Sequence, residues 1–162
     1  MRPPGTPSLL RVPAQPRMPR IPGLVALALA AGIATAAEFR STSEAATVLY
    51  DAPSVKARPL FVVSRGYPVE VIVTLEGWTK VRDAGGSVVW VESKALAQKR
   101  MVVVRRRVAE VRSTPEDSAA VAFKVAQNVL LELIETAPAG WVRVRHADGG
   151  TGYIRTAEIW GA

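Results

Sequence analysis

The chain has 162 residues, enough for one ordinary domain or two very small ones, and its formal charge at pH 7 is +7. It contains no cysteine and one histidine, which excludes disulfide bonds, thiolate metal sites, cysteine nucleophiles and histidine-rich metal centres. We therefore expect neither a metal nor a cofactor.

The amino-terminal residues have the pattern of an export signal. Basic residues precede an uncharged apolar run at residues 24–37, LVALALAAGIATAA, which ends in small side chains. A membrane-spanning helix needs about 20 apolar residues, so an uncleaved anchor is the weaker alternative. We expect residues 1–37 to be a signal peptide, cleaved after Ala36 or Ala37. Its removal takes away four arginines, lowers the formal charge to +3 and leaves a periplasmic or secreted protein.

The remaining residues contain a duplicated sequence. Residues 60–96 align with residues 122–159 at an offset of 62 to 63 positions. The specific matches include Phe61 with Phe123, Glu70 with Glu132, Trp78 with Trp141, and Trp90 with Tyr153. Because each copy of a repeat must be one structural unit, we predict two domains, at residues 38–97 and 98–162.

Each copy has the pattern of an all-β unit. Short runs rich in valine and isoleucine, separated by turn residues, are typical of strands joined by hairpins. The predicted strands are residues 69–75, 78–82 and 88–91 in the first copy and 130–135, 141–145 and 152–154 in the second. Paired glycines at 85–86 and 149–150 supply the positive φ that a hairpin turn requires, and short helical turns are expected only near 92–96 and 156–160. The pattern predicts a small barrel or sandwich.

Side-chain alternation in the central hairpin predicts which groups face outward. In the second copy Val142 and Val144 are expected in the core, so that Trp141, Arg143 and Arg145 lie on the opposite face. The equivalent residues of the first copy are Val81 inward and Trp78, Lys80 and Arg82 outward.

In each copy one glutamate interrupts an apolar strand next to this hairpin. Glu70 and Glu132 are each flanked by aliphatic residues. A cross-strand ion pair with the outward basic residues explains them, and such a pair contributes about 0.2 to 1 kcal/mol.

The order of these motifs resembles the bacterial SH3-like domain, in the tandem form of exported proteobacterial proteins. The shared pattern is an apolar-Glu-apolar strand, then Gly-Trp-x-basic-Val-Arg, a glycine turn, and an aromatic residue before Val or Ile. The second copy keeps the family's opening Val-Arg-Ser-x-Pro, which includes Arg112, and ends in Ile159-Trp160-Gly161, whereas the first copy lacks the opening arginine. The resemblance implies two tandem SH3-like β-barrels with a recognition or targeting role at the cell wall or in the periplasm. It also points to the second copy as the binding copy.

The candidate ligand-binding residues are outward aromatic and cationic side chains, namely Trp141, Arg143, Tyr153, Arg112, Trp78 and Trp90. Aromatic rings beside cations can form a platform for a sugar, a peptide or a proline-rich segment. The alternative is structural, because such rings also cover loops or the rim of their own barrel. Trp160, near the carboxyl terminus, is expected to dock onto its own module or between the two modules.

No pattern in the sequence predicts catalysis or nucleic-acid binding. The serines lack the glycine-flanked elbow of common hydrolases, and His146 has no matching partner. Arg105, Arg106 and Arg107 are interpreted as a solvated connection. We predict an exported, non-enzymatic binding or scaffolding protein of the cell envelope that recognises a peptide, a peptidoglycan fragment or an envelope protein. A structural accessory protein that assembles with other proteins and has no small ligand is the alternative.

Overall fold

The computed structural model describes residues 36–162, and the predicted signal peptide lies outside this range except for its last two residues. Within the described range no helix is both long and apolar enough to cross a membrane.

The first repeat forms one antiparallel sheet. Its strands are β1 (Glu38–Thr42), β2 (Ala46–Tyr50), β3 (Pro59–Ser64), β4 (Pro68–Leu75), β5 (Trp78–Arg82), β6 (Val88–Glu92) and β7 (Leu96–Ala97). They are arranged in the order β3-β2-β6-β5-β4-β1-β7. A 3₁₀ turn at Ser93–Ala95 precedes β7.

The second repeat forms an equivalent sheet. Its strands are β8 (Met101–Val104), β9 (Val108–Arg112), β10 (Val121–Ala126), β11 (Leu130–Ala137), β12 (Trp141–Arg145), β13 (Thr151–Arg155) and β14 (Ile159–Trp160). Their order is β10-β9-β13-β12-β11-β8-β14, with 3₁₀ turns at Pro138–Gly140 and Thr156–Glu158. The all-β prediction is confirmed, and closure of either sheet into a barrel stays a prediction.

One face of each sheet buries its own apolar cluster. In the first repeat the cluster consists of Leu49, Val69, Val81, Val89, Val91 and Ala95. In the second repeat it includes Leu131, Val142, Val144 and Ile154. Burial of each such valine, leucine or isoleucine stabilises the fold by about 1.5 to 3 kcal/mol relative to exposure. The predicted inward positions in the central hairpins are confirmed.

The predicted strands and turns are present, most of them with slightly wider bounds. Gly86 and Gly149 have φ angles of 92° and 94°, as the hairpin interpretation requires. The six predicted strands correspond to β4, β5, β6, β11, β12 and β13. The other elements, which are β1, β2, β3, β7, β8, β9, β10, β14 and the turn at Pro138–Gly140, lie outside the predicted strands. Pairing between β8 and both β11 and β14 makes residues 101–104 part of the second sheet rather than a free connection.

The glutamates that interrupt the apolar strands form the predicted cross-strand pairs. Glu70 lies opposite Arg82, and their side chains meet at 2.7 Å. Glu132 lies opposite Arg145, at 3.6 Å, and is also 3.2 Å from Lys99. The basic partners are exposed, so each pair contributes about 0 to 1 kcal/mol.

Aromatic and cationic contacts join the two repeats. The ring of Phe39, on β1, packs edge to face with that of Trp160, on β14, with 5.1 Å between centroids. The guanidinium group of Arg100 lies 5.6 Å from the centroid of the Phe39 ring and donates a hydrogen bond of 3.0 Å to the carbonyl of Gly161. The prediction that Trp160 docks within its module or between the modules is confirmed.

Position 161, in this junction between the repeats, requires glycine because a side chain has no room there. Its φ angle is 106°, and a Cβ atom would lie 2.8 Å from the Met101 carbonyl oxygen and 3.1 Å from Cβ of Pro68. Both the backbone conformation and the close approach therefore require glycine.

We expect Gly161→Ala to lower the free energy of unfolding by about 2 kcal/mol or more, since it adds steric conflict to the backbone cost of about 1 kcal/mol. Gly86→Ala is the matched control, because Gly86 also has a positive φ but no atom within 4 Å of the added Cβ. Urea denaturation followed by tryptophan fluorescence measures both. Equal losses in the two variants would contradict close packing at the junction.

Candidate functional site

The outer face of each sheet, opposite its buried cluster, holds all the candidate ligand-binding residues. Cross-strand register makes these faces directly comparable. The central row of the first repeat is Tyr50, Trp90, Lys80 and Val73, and the matching row of the second is Arg112, Tyr153, Arg143 and Glu135. A neighbouring row pairs Leu75 with Trp78 and, in the second repeat, Ala137 with Trp141.

Trp141 lies on the predicted outer face, but it lacks the exposure to solvent that a ligand platform requires. Its relative exposure is 3%. The guanidinium group of Arg155 covers it, 4.3 Å from the ring centroid. Arg155 is itself fixed by an ion pair with Asp117 and a 3.0 Å hydrogen bond to the carbonyl of Ala139. Trp141 is therefore a covered structural residue rather than an open platform.

Two further cations on the outer face of the second repeat are also engaged within the chain. Arg112 donates a 2.7 Å hydrogen bond to the carbonyl of Ala119 and pairs with Glu110 at 2.8 Å. Lys124 approaches the same carboxylate at 3.1 Å. We call this surface the ion-paired face, defined by Glu110, Arg112, Lys124, Glu135, Arg143 and Arg155.

The electrostatic effect of these contacts is visible at Glu110. A hydrogen bond from Lys124 and the charge of Lys124 lower the pKa of this exposed carboxyl below its ordinary value, and the charges of Arg112 and Arg106 act in the same direction. The carboxylate therefore stays charged to lower pH than an isolated glutamate does.

A cavity of about 490 Å³ opens beside Trp141. Its charged lining consists of Arg106, Arg112 and Arg155 with Glu110, Asp117 and Glu158. Each of the three arginines forms an ion pair with a carboxylate in this lining. The cavity is polar, but its charges already neutralise one another.

The first repeat has apolar residues at the positions where the second repeat has ion pairs. Val48 and Val62 face each other as Glu110 and Lys124 do, and Val73 stands where Glu135 stands. Val62 is 67% exposed, and Val73 and Leu75 are 41% and 49% exposed. We call this surface the apolar face, defined by Val48, Tyr50, Val62, Val73, Leu75, Trp78, Lys80 and Trp90.

Aromatic rings form the centre of the apolar face. The Tyr50 and Trp78 rings meet edge to face, with centroids 5.5 Å apart. The ammonium group of Lys80 lies 5.5 Å from the centroid of Trp90. All three rings are half-buried, so each still presents surface to solvent.

The sequence pattern missed the aliphatic residues of the apolar face. Val62 and Val73 belong to strands that read as ordinary apolar runs. A signal was present in the repeat itself, because their counterparts at the offset of the alignment are Lys124 and Glu135. This surface is marked by positions at which the two copies differ rather than by positions at which they agree.

The remaining candidate groups do not form a site. His146 lies 3.0 Å from the carboxylate of Asp148, in the hairpin turn. Arg105, Arg106 and Arg107 are exposed, which agrees with a solvated connection. No group of three or more potential metal-ligating side chains is found among the residues that the structure describes.

Removal of the Arg155 side chain should expose Trp141. In Arg155→Ala we expect stronger acrylamide quenching of tryptophan fluorescence, because the group that covers the ring is lost. Arg143→Ala is the control, since Arg143 pairs with Glu135 at 3.5 Å and does not cover Trp141. Unchanged quenching in Arg155→Ala would contradict this account.

Replacement of Lys124 by valine, the residue at the matching position of the first repeat, should raise the pKa of Glu110 toward its ordinary value. A carboxyl group whose pKa is lowered by folding stabilises the folded state at pH values above its unfolded-state pKa. This stabilisation is lost as the pH falls through the folded-state pKa. Lys124→Val should therefore weaken the acid dependence of stability. Carboxyl NMR titration of Glu110 measures the shift, and an unchanged pKa would rule out Lys124 as its cause.

Comparison with known proteins identifies the family. Residues 43–98 and 99–161 each match the model of the bacterial SH3 domain. Similar solved structures include NlpC1 and NlpC2 from Trichomonas vaginalis and an NlpC/P60 family protein from Bacillus cereus. Each is 17% identical, with TM-scores of 0.34, 0.33 and 0.35. The alignments cover 86%, 75% and 75% of this chain and 51%, 46% and 55% of those chains, respectively.

This chain therefore spans about half the length of the solved structures that it matches. The comparison with curated proteins gives no match. The two stretches matched by the family model together cover most of the chain. The chain belongs to the bacterial SH3 domain family, with two such domains in tandem.

Proposed function

We propose that this protein is an exported, non-enzymatic binding protein of the cell envelope that recognises a peptide, a peptidoglycan fragment or an envelope protein. Membership of the bacterial SH3 domain family supports a binding role. The predicted signal peptide supports a location outside the cytoplasm. The apolar face of the first repeat is the observation that carries the proposal.

The apolar face has the composition of a recognition surface. Tryptophan and tyrosine account for much of the binding energy at protein interfaces, and the face contains Trp78, Trp90 and Tyr50. When a ligand buries the exposed aliphatic groups of this face, the binding free energy becomes more favourable by about 25 cal/mol for each Å² removed from water. Exposed apolar patches with a polar rim often mark interaction sites.

The two repeats contribute differently to this proposal. The family pattern points to the second repeat, which keeps Arg112. The side-chain contacts instead favour the first repeat, because Arg112 and Trp141 already make their contacts within the chain. A ligand at the second repeat would have to displace these contacts, whereas the apolar face is open to solvent.

One observation favours the alternative of assembly without a small ligand. Strand β3 lies at one end of the first sheet's strand order, and Leu60, Phe61 and Val62 on it are exposed. An apolar edge strand is a template for pairing with another chain. Under this alternative the protein retains envelope proteins but neither peptidoglycan nor peptides.

Exchange of apolar residues for their second-repeat counterparts tests the proposal. We expect the double variant Val62→Lys and Val73→Glu to lose about tenfold or more in retention of its ligand, because loss of interface anchors costs 1 to 2 kcal/mol or more. Retention is measured on insoluble peptidoglycan and from detergent-solubilised envelope extract. Both positions are exposed, so folding stability should change by only about 0.5 kcal/mol per site.

The reciprocal variant, Lys124→Val with Glu135→Val, is the matched control, and its retention should not fall. Retention of nothing by the wild-type protein would contradict both the proposal and its alternative. An equal loss of retention in the two double variants would show that the apolar face of the first repeat does not determine ligand binding.

A further inference from the structure

We infer that the apolar face binds an extended segment of a partner protein in which one carboxylate is flanked by apolar side chains, and that this carboxylate meets Lys80. The inference rests on the proposed function and specifies the chemistry of its ligand.

Lys80 is the cation at the centre of the apolar face. It is half-buried, and its ammonium group lies over the ring of Trp90. No carboxylate lies within 4 Å of its nitrogen among the residues described, 36–162. Its neighbour across the strand pair is Val73, which offers no charge.

The second repeat shows what completes this position. Arg143 occupies the place of Lys80, and the residue opposite it is Glu135, whose carboxylate lies 3.5 Å from the guanidinium group. The first repeat has the cation of this pair but not the anion. A carboxylate from a partner, placed above Val73, would supply the missing half.

The carboxylates nearest to Lys80 in the sheet register are already engaged. Glu70 lies on the same strand as Val73 and opposite Arg82, with which it pairs at 2.7 Å. Glu92, opposite Trp78, pairs with Lys94 at 3.1 Å. Lys80 is thus the cation of the apolar face that remains without a countercharge.

The surroundings of Lys80 select a peptide rather than a sugar. In an extended peptide, side chains two positions before and after a residue lie on the same side as that residue. A segment of the form apolar-x-acidic-x-apolar therefore presents one apolar side chain on each side of one carboxylate. Lys80, on β5, likewise has apolar surface on both sides. Val73 and Leu75 lie on the neighbouring strand β4, and Trp90 and Tyr50 lie on the other side, on β6 and β2.

A glycan would be poorly matched to the same surface. Sugar hydroxyls lose water on binding and need hydrogen-bonding partners in exchange. The polar groups of the side chains that define the apolar face are the Lys80 ammonium group, the Tyr50 hydroxyl and the indole N–H groups of Trp78 and Trp90, and the rest of these side chains is hydrocarbon. The shortage of polar partners favours a protein segment.

The test is a titration of the isotope-labelled protein with three soluble peptides, observed by NMR. The first peptide is Ac-Ser-Leu-Ser-Glu-Ser-Leu-Ser-NH2, and the other two have Gln or Lys in place of Glu. The glutamate peptide should shift the indole signals of Trp78 and Trp90 and should bind about threefold more tightly than the glutamine peptide, as expected for one partly exposed ion pair. The lysine peptide should cause no shifts.

Two variants locate the preference. Val73→Glu places a carboxylate opposite Lys80 within the chain, so the preference for the glutamate peptide over the glutamine peptide should disappear. Glu135→Gln, at the matching position of the second repeat, should leave that preference and the shifts of Trp78 and Trp90 unchanged. Circular dichroism of both variants confirms that the exposed substitutions leave the sheets intact.

Several results would overturn the inference. These are equal affinities of the wild-type protein for the glutamate and glutamine peptides, the absence of binding by any of the three, shifts confined to the second repeat, or larger shifts with a soluble disaccharide-peptide of peptidoglycan. If the Val62→Lys and Val73→Glu double variant still loses envelope retention, the proposed function stands and only the ligand chemistry fails. If that variant retains its ligand fully, both fail.

Discussion

Alternation of side chains between the two faces of the central hairpin strands is the constraint on which the rest of the structure depends. The chain has no disulfide or thiolate metal site to hold its small units together, so each repeat relies on one face of its sheet for an apolar core. Valines at alternate positions fill that core, and the residues between them are directed to the other face. Core and candidate surface are therefore two consequences of one pattern.

The sequence predicts the part of the structure that alternation controls. The central hairpins, the glycine turns and the pairs of Glu70 with Arg82 and of Glu132 with Arg145 follow from residues close in sequence or in register. Strand β1 was not predicted because it is short and adjoins the predicted signal segment. Strand β8 was not predicted because its role depends on pairing with β11 and β14, which lie far along the chain.

Exposure is the property that the sequence could not give. Alternation places Trp141 on the outer face correctly, but it does not report what lies above that face. The cover comes from Arg155 on the next strand and is fixed by Asp117 in a separate loop. Trp78 has Glu92 at the position of Arg155, and a glutamate cannot form the same cation contact with the ring. One exchanged residue on a neighbouring strand thus decides whether the equivalent tryptophans are covered by a cation.

The difference between the two outer faces has little effect on stability and accords with the binding role proposed for the first repeat. Exposed ion pairs contribute about 0 to 1 kcal/mol each, so replacing the pair of Glu110 and Lys124 by Val48 and Val62 changes the folding free energy little. The same exchange changes solvation strongly, because it replaces a hydrated charged surface by an apolar surface whose burial is favourable. Stability therefore gives little reason for the first repeat to expose aliphatic groups beside a cation without a countercharge. Contact with a partner gives a direct reason, since the partner would bury the aliphatic groups and neutralise Lys80 in one step.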